Sequence, residues 1–160
     1  MIQIHPFPPV YDSSSRILIL GSFPSVRSRE QLFFYGHPQN RFWKMLAGVY
    51  DEPLPETVPE KKELLLRHHI ALWDVISSCD ITGSADSSIT GVVPNDLSVI
   101  LSASDIHTII LNGRTAEKYF TRYNRDISIK TVCLPSTSPA NAAWSLARLT
   151  DAWRAVLSGT

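Results

Sequence analysis

Cysteine is scarce. Cys79 and Cys133 are the only two in 160 residues, and neither sits in a CxxC pair. That argues against a disulfide scaffold or a structural zinc site and favours a reducing compartment. Charge of one sign is also missing: fifteen Lys and Arg offset fifteen Asp and Glu. With no net field to hold DNA or a membrane nonspecifically, any nucleic-acid site must be local. Long apolar runs are absent. Blocks such as Arg16-Ile-Leu-Ile-Leu-Gly21 fall far short of the roughly 20 residues of a membrane span. The start, Met1 to Pro9, lacks a charged region followed by an apolar one. The expectation is a soluble cytoplasmic protein. GxxxxGK[ST] and GxGxxG do not occur, which argues against triphosphate and dinucleotide sites, and no GxSxG elbow marks a serine hydrolase. What is present, 44% hydrophobic residues in 160, suffices for one core and predicts a single domain over residues 1–160.

The apolar blocks set the fold class. Residues 16–21 carry an apolar run with β-branched Ile17 and Ile19 and end in glycine, the profile of a strand buried on both faces of a parallel sheet. Residues 70–76, 107–112 and 129–134 read as three further strands. Helical spacing of Phe42, Trp43, Leu46 and Val49 predicts a helix over 40–50. Others are expected over 60–69 after Pro59, 94–101 and 113–123. The Ser-, Asp- and Gly-rich stretch 77–90 reads as a long surface loop. A last helix is expected to begin near Pro139 with Ser138 as its cap, carrying the stripe Ala142, Leu146, Leu149, Trp153 and Val156. Strands alternating with helices imply right-handed crossovers and a three-layer α/β/α sandwich around a central four-stranded, mainly parallel sheet. Ligands in such sheets bind beyond the carboxyl ends of the strands.

The unusual sequence lies at those ends. Gly21-Ser22-Phe23-Pro24-Ser25 would let backbone amides approach a ligand, although a generic strand-to-helix turn reads the same way. Phe33 to Trp43 combines aromatic faces with His37, Asn40 and Arg41, a mixture suited to stacking a planar base and orienting a water. Phe42 and Trp43 fit better as core. Tyr35, His37 and Asn40, polar at a loop-to-helix boundary, are poorly explained by packing. Asn112 could read a base edge with its amide or cap the following helix. Leu134 to Asn141 offers hydroxyls and amides at a helix N-terminus, suited to an anion, or is an ordinary capped loop. His68 and His69 read as a solvated helix end, and His5 and His107 carry no signal. Basic residues follow the site segments: Arg27, Arg29, Arg41 and Lys44, then Arg114, Lys118, Arg122 and Arg125. Surface solvation accounts for several of them.

Taken in order, the GSFPS turn (21–25), the YGHPQNRFW segment (35–43), the strand-terminal Asn112-Gly113 and the LPSTSPAN loop (134–141) resemble the uracil-DNA glycosylase superfamily, and within it the hypoxanthine (deoxyinosine) DNA glycosylase branch. Two positions depart from the superfamily pattern. Phe23 stands where an Asp or Asn usually precedes the proline, and Leu134 stands where the second motif usually begins with His.

The resemblance implies a monofunctional glycosylase that flips a deaminated nucleotide from DNA and hydrolyses its N-glycosidic bond. Hypoxanthine is the chief substrate, with uracil and xanthine as secondary candidates. In that reading Asn40 is the catalytic amide that orients water. Gly21, Ser22, Phe23, Tyr35 and Asn112 bind the base, and His37, Ser136, Thr137, Ser138 and Asn141 contact DNA. No metal or cofactor is called for. The partner is damaged DNA, with no membrane and no obligate protein partner, and the protein acts as a monomer. The competing class is a noncatalytic nucleic-acid or nucleobase binding module on the same fold, which the missing first-motif carboxylate or amide favours.

Overall fold

A computed structural model describes residues 1–159. The chain opens with a short strand, β1 (Ile2–Ile4), and enters the central sheet at β2 (Ile17–Gly21). Helices α1 (Val26–Gln31), α2 (Phe42–Tyr50) and α3 (Val58–Arg67) lead to β3 (Ile70–Asp74). Two strands, β4 (Ile76–Asp80) and β5 (Thr90–Pro94), and a short helix, α4 (Ser98–Leu101), precede β6 (Thr108–Asn112). Then come α5 (Arg114–Tyr123), β7 (Lys130–Leu134) and α6 (Leu146–Leu157).

The four expected strands pair in parallel in the order β3-β2-β6-β7. Every residue of β2 and β3 is buried, which is why their sequences are unbroken apolar runs rather than alternating ones. From β2 the chain crosses to β3 on one side, whereas from β6 it crosses to β7 on the other. Right-handed crossovers therefore place α2 and α3 on one face and α5 on the opposite face. The order reverses between β2 and β6, so their carboxyl ends, Gly21 and Asn112, flank the crevice where such sheets take ligands. α6 returns to pack on α2. Trp153 anchors it: the ring is fully buried and its Nε1 donates to the Pro135 carbonyl at 3.0 Å.

The ends of α2, α3 and α5 fall within two residues of expectation, whereas the helix expected over 94–101 begins only at Ser98, because Pro94 closes β5. Thr57 and Glu60 form a reciprocal capping box on α3, with a proline in the first turn. Asp51 closes α2 in the left-handed conformation.

Three further expectations need correction. The block 70–76 is not one strand, because β3 stops at Asp74 and Ile76 starts β4 in a second, antiparallel sheet ordered β1-β4-β5. The expected loop 77–90 is thus not a loop at its start: Ser77 to Asp80 continue β4. Only Ile76 and Cys79 of that strand are buried, so the half-exposed strand reads as polar, and its partner Ile2–Ile4 lies far away in sequence. The third correction is α6, which begins at Leu146 with Ser145 accepting from Arg148 N, not near Pro139 with Ser138 as cap. Residues 138–144 are held out of helix by competing partners. Ser138 and Asn141 side chains bond nearby backbone, and the Arg41 guanidinium takes the carbonyls of Ser138, Asn141 and Trp144. Ala142 consequently lies outside the helical stripe. Among the described residues no helix is long and apolar enough to cross a membrane.

Candidate active site

The crevice at the switch point is a cavity of about 300 Å³ lined by Gly21, Ser22 and Phe23 after β2, Asp74 at the end of β3, and Asn112 at the end of β6. Tyr35, His37 and Asn40 close it from the segment entering α2, and Ser136 to Ala140 from the loop after β7. A second cavity of about 700 Å³ shares Asn112, Ser136 and Ser138 with it and extends over Arg114, Asn141 and Trp144. A smaller pocket thus adjoins a larger one.

One hydroxyl ties the pocket together. Thr137 is fully buried. Its Oγ1 donates to Asn40 Oδ1 at 3.0 Å and accepts from Asn112 Nδ2 at 3.1 Å. Its backbone N–H donates to Asn112 Oδ1 at 3.0 Å. Asn40 Oδ1 also accepts from the Phe42 amide at 2.9 Å. A backbone N–H can only donate, so the oxygen of Asn40 must face it. That leaves Asn40 Nδ2 as the group without a protein acceptor among the described residues. Asn112 donates its second proton to Tyr35 Oη at 3.1 Å. The helix-cap alternative for Asn112 is therefore set aside: the N-cap position of α5 is Gly113, without a side-chain cap bond. Gly113 has φ of +95°, and a Cβ there would stand 2.9 Å from the Ser136 Cβ, so the close approach of the two loops requires glycine.

Tyr35 is held just as firmly. It adopts φ of +53°, and its ring stacks on Phe42 with centroids 4.3 Å apart. Burial, with the Asp74 charge as the second cause, pushes its phenol far above the ordinary range, so it stays protonated. Phe23 is buried, faces His5 edge-on at 6.1 Å between ring centroids and carries the Arg29 guanidinium over its ring at 5.5 Å. The backbone N–H groups of Ser22 and Phe23 have no acceptor among the described residues, and both residues line the cavity.

The expected site residues Gly21, Ser22, Phe23, Tyr35, His37, Asn40, Asn112, Ser136, Thr137 and Ser138 all line this one cavity. Asn141 lines the adjoining larger one. Thr137, expected to touch DNA, is instead fully buried with its polar groups engaged inside the protein. Ser136 and Ser138 lie in a turn of their own, not at a helix N-terminus, with Ser136 Oγ accepting from the Ser138 amide at 3.1 Å. Arg41 and Arg29, counted among the basic flank, are spent on carbonyls: Arg41 on the 138–144 turn and Arg29 on Pro24 and Gly83. Two residues that carried no functional assignment also belong here, one at the cavity and one bonded to the first. Asp74 lines the cavity, and His5 holds Asp74 at 2.8 Å. The only signal for Asp74 in the sequence is its place, a lone carboxylate ending an apolar strand.

Similarity to known proteins extends over nearly the whole chain. Residues 8–157 match the family model of the uracil DNA glycosylase superfamily. The chain belongs to the uracil-DNA glycosylase superfamily. A protein named hypoxanthine DNA glycosylase from Methanosarcina acetivorans is 38% identical over 152 residues, 94% of this chain and 95% of that one. Another of that name from Methanosarcina barkeri is 34% identical over 137 residues, 84% of this chain and 86% of its own. A solution NMR structure of a Methanosarcina acetivorans protein, described as a candidate uracil DNA glycosylase, superposes with a TM-score of 0.83 at 34% identity and covers 98% of this chain and 97% of that chain. In this chain the candidate site sits at the carboxyl ends of the parallel strands, and the residue before Pro24 is apolar Phe23.

Proposed function

We propose that this protein is a monofunctional DNA glycosylase that excises deaminated bases, chiefly hypoxanthine, with uracil and xanthine as secondary substrates. Damaged DNA is its partner, and it acts as a cytoplasmic monomer in which residues 1–160 form one domain. The observation that carries the reading is the Thr137-centred network, which fixes two amides, Asn40 and Asn112, at the wall of a base-sized cavity. The names of the two Methanosarcina relatives support the choice of base.

The flipped base enters the cavity with Tyr35 as a rigid aromatic wall and Gly21 at its floor. The bond from C1′ to the base nitrogen breaks with its electron pair going to the base, leaving an oxocarbenium-like sugar. Unpaired N–H groups of Ser22 and Phe23 are fixed donors for the charge that grows on the base. Asn40 Nδ2 donates to the oxygen of a water and leaves that oxygen a free lone pair for C1′. The water forms the new C–O bond and releases a proton, and the departing base takes one up. An amide is a poor base, but a dissociative transition state needs the water placed more than deprotonated. Ser136, Ser138, His37 and Asn141 stand at the rim, where the flanking strand would lie.

Phe23 favours one other reading, a binding module without catalysis, since the usual polar group is replaced there by a buried ring. Duplexes carrying one hypoxanthine, uracil or xanthine, incubated with the protein in chelator and then treated with alkali, separate the two. Strand cleavage at hypoxanthine supports excision. Intact strands with folded protein leave the binding module.

A further inference from the structure

Excision as described gives no task to Asp74, which lines the cavity, or to His5 bonded to it, although both are almost wholly buried, with side chains 5% and 4% exposed. Burying a carboxylate is costly unless it is paired. Asp74 Oδ2 is satisfied by His5 Nε2 at 2.8 Å, and since a carboxylate only accepts, that nitrogen carries the proton. Asp74 Oδ1 has no hydrogen-bond partner among the described residues. It lies against Gly21, 2.4 Å from where a Cβ there would stand, and Tyr35 Oη lies 2.9 Å from the same point. The absent side chain at Gly21 lets the two oxygens come together at the floor. Tyr35 Oη accepts from Asn112, so its own proton is left to donate. An acceptor and a donor therefore stand side by side where the base's edge would rest.

That pair complements a lactam, a ring carbonyl next to a ring N–H. We propose that Asp74 Oδ1 accepts the ring N–H and Tyr35 Oη donates to the adjacent carbonyl, so that the pair selects deaminated lactam bases over their amino parents. The proposal rests on the glycosylase reading. Hypoxanthine, uracil and xanthine carry such an edge. Adenine and cytosine present the reverse, an amino donor beside a bare ring nitrogen, which would face Asp74 with a lone pair and Tyr35 with a proton. Guanine shares the lactam and differs from hypoxanthine by its 2-amino group, so its exclusion falls to cavity shape. In hypoxanthine this edge lies on the six-membered ring, so the carboxylate stands across the base from the glycosidic nitrogen that receives the bond's electron pair.

The test compares hypoxanthine with 1-methylhypoxanthine, which lacks the ring N–H, in single-turnover excision and in binding of the free bases followed by NMR. Asp74→Leu removes the carboxylate while filling its space. Hypoxanthine excision should fall about 10- to 100-fold, while the slow excision of 1-methylhypoxanthine stays where it was. If both substrates fall together, Asp74 is merely structural; if neither falls, it makes no contact with the base; either result overturns the proposal. Should Asp74→Leu unfold because His5 is stranded, His5→Phe with Asp74→Leu replaces the whole pair by apolar groups, a change buried pairs tolerate. Should wild type excise nothing, free-base binding decides by itself. Hypoxanthine affinity lost in the variant with 1-methylhypoxanthine unchanged upholds the carboxylate's role and rejects the glycosylase reading, whereas unchanged hypoxanthine affinity overturns the carboxylate's role.

Discussion

Thr137→Val is nearly isosteric and deletes one oxygen at the junction of both amides. Two hydrogen bonds go with it, to Asn40 and from Asn112, at 3.0 and 3.1 Å, while the backbone bond from Thr137 N to Asn112 Oδ1 survives. Each such bond contributes about 1 kcal/mol net, and the stranded, buried Asn112 proton adds to the loss, so stability should fall by about 2–3 kcal/mol. For a chain of this size that lowers Tm by about 4–12 °C. Catalysis should suffer separately. With only the Phe42 amide left to hold Asn40 Oδ1, the side chain can turn, and an ångström-scale displacement of a positioning group costs about 100-fold in rate. The assay is single-turnover release of hypoxanthine at saturating enzyme, beside a binding isotherm for the same duplex. The rate should drop about 100-fold with duplex affinity little changed, and Thr137→Ser, which keeps the oxygen, should recover most of it. A valine variant that is folded and as fast as wild type would refute the relay, as would a serine variant no better than valine.

Further outcomes follow from the same structure. Tyr35→Phe strands the other Asn112 proton and should slow hypoxanthine release about tenfold, read in the same assay. Trp153→Ala empties the space under α6 and frees the Pro135 carbonyl, so it should cost about 3–5 kcal/mol in chemical denaturation. Hydrogen bonds from Arg67 and then His68 hold the Glu52 carboxyl below its ordinary range. A depressed folded pKa stabilises above the unfolded value of about 4.3 and is lost as pH falls through the folded one. Glu52→Gln should therefore be less stable than wild type by about 0.5 kcal/mol at pH 7, and the two denaturation midpoints should converge in acid.

Legibility in the sequence tracked burial. β2, β3 and β6 are covered on both faces, so their apolar runs announced the central sheet and put Gly21 and Asn112 at its carboxyl edge. β4 is only partly covered, with Ile76 and Cys79 buried, and its Ser77, Ser78 and Asp80 disguise it, while β1, its partner, has Ile2 and Ile4 largely exposed. In the site, residue types pointed to Asn40, Tyr35 and Asn112, whose polar or aromatic groups stand at element boundaries. The same reasoning could not rank Ser136, Thr137 and Ser138, because three neighbouring hydroxyls look alike until the backbone turns one of them inward. Nor could it pair His5 with Asp74, which are 69 residues apart. The start of α6 was masked by Arg41, whose grip on three carbonyls is a long-range contact with no local signature.

The central claim is that Asn40 places the water that completes excision. The most direct measurement is single-turnover release of hypoxanthine from a duplex by wild type and Asn40→Ala, with binding of the same duplex measured in parallel. The account predicts a rate lowered by at least about 100-fold with duplex affinity largely kept. Wild-type excision by Asn40→Ala would contradict it.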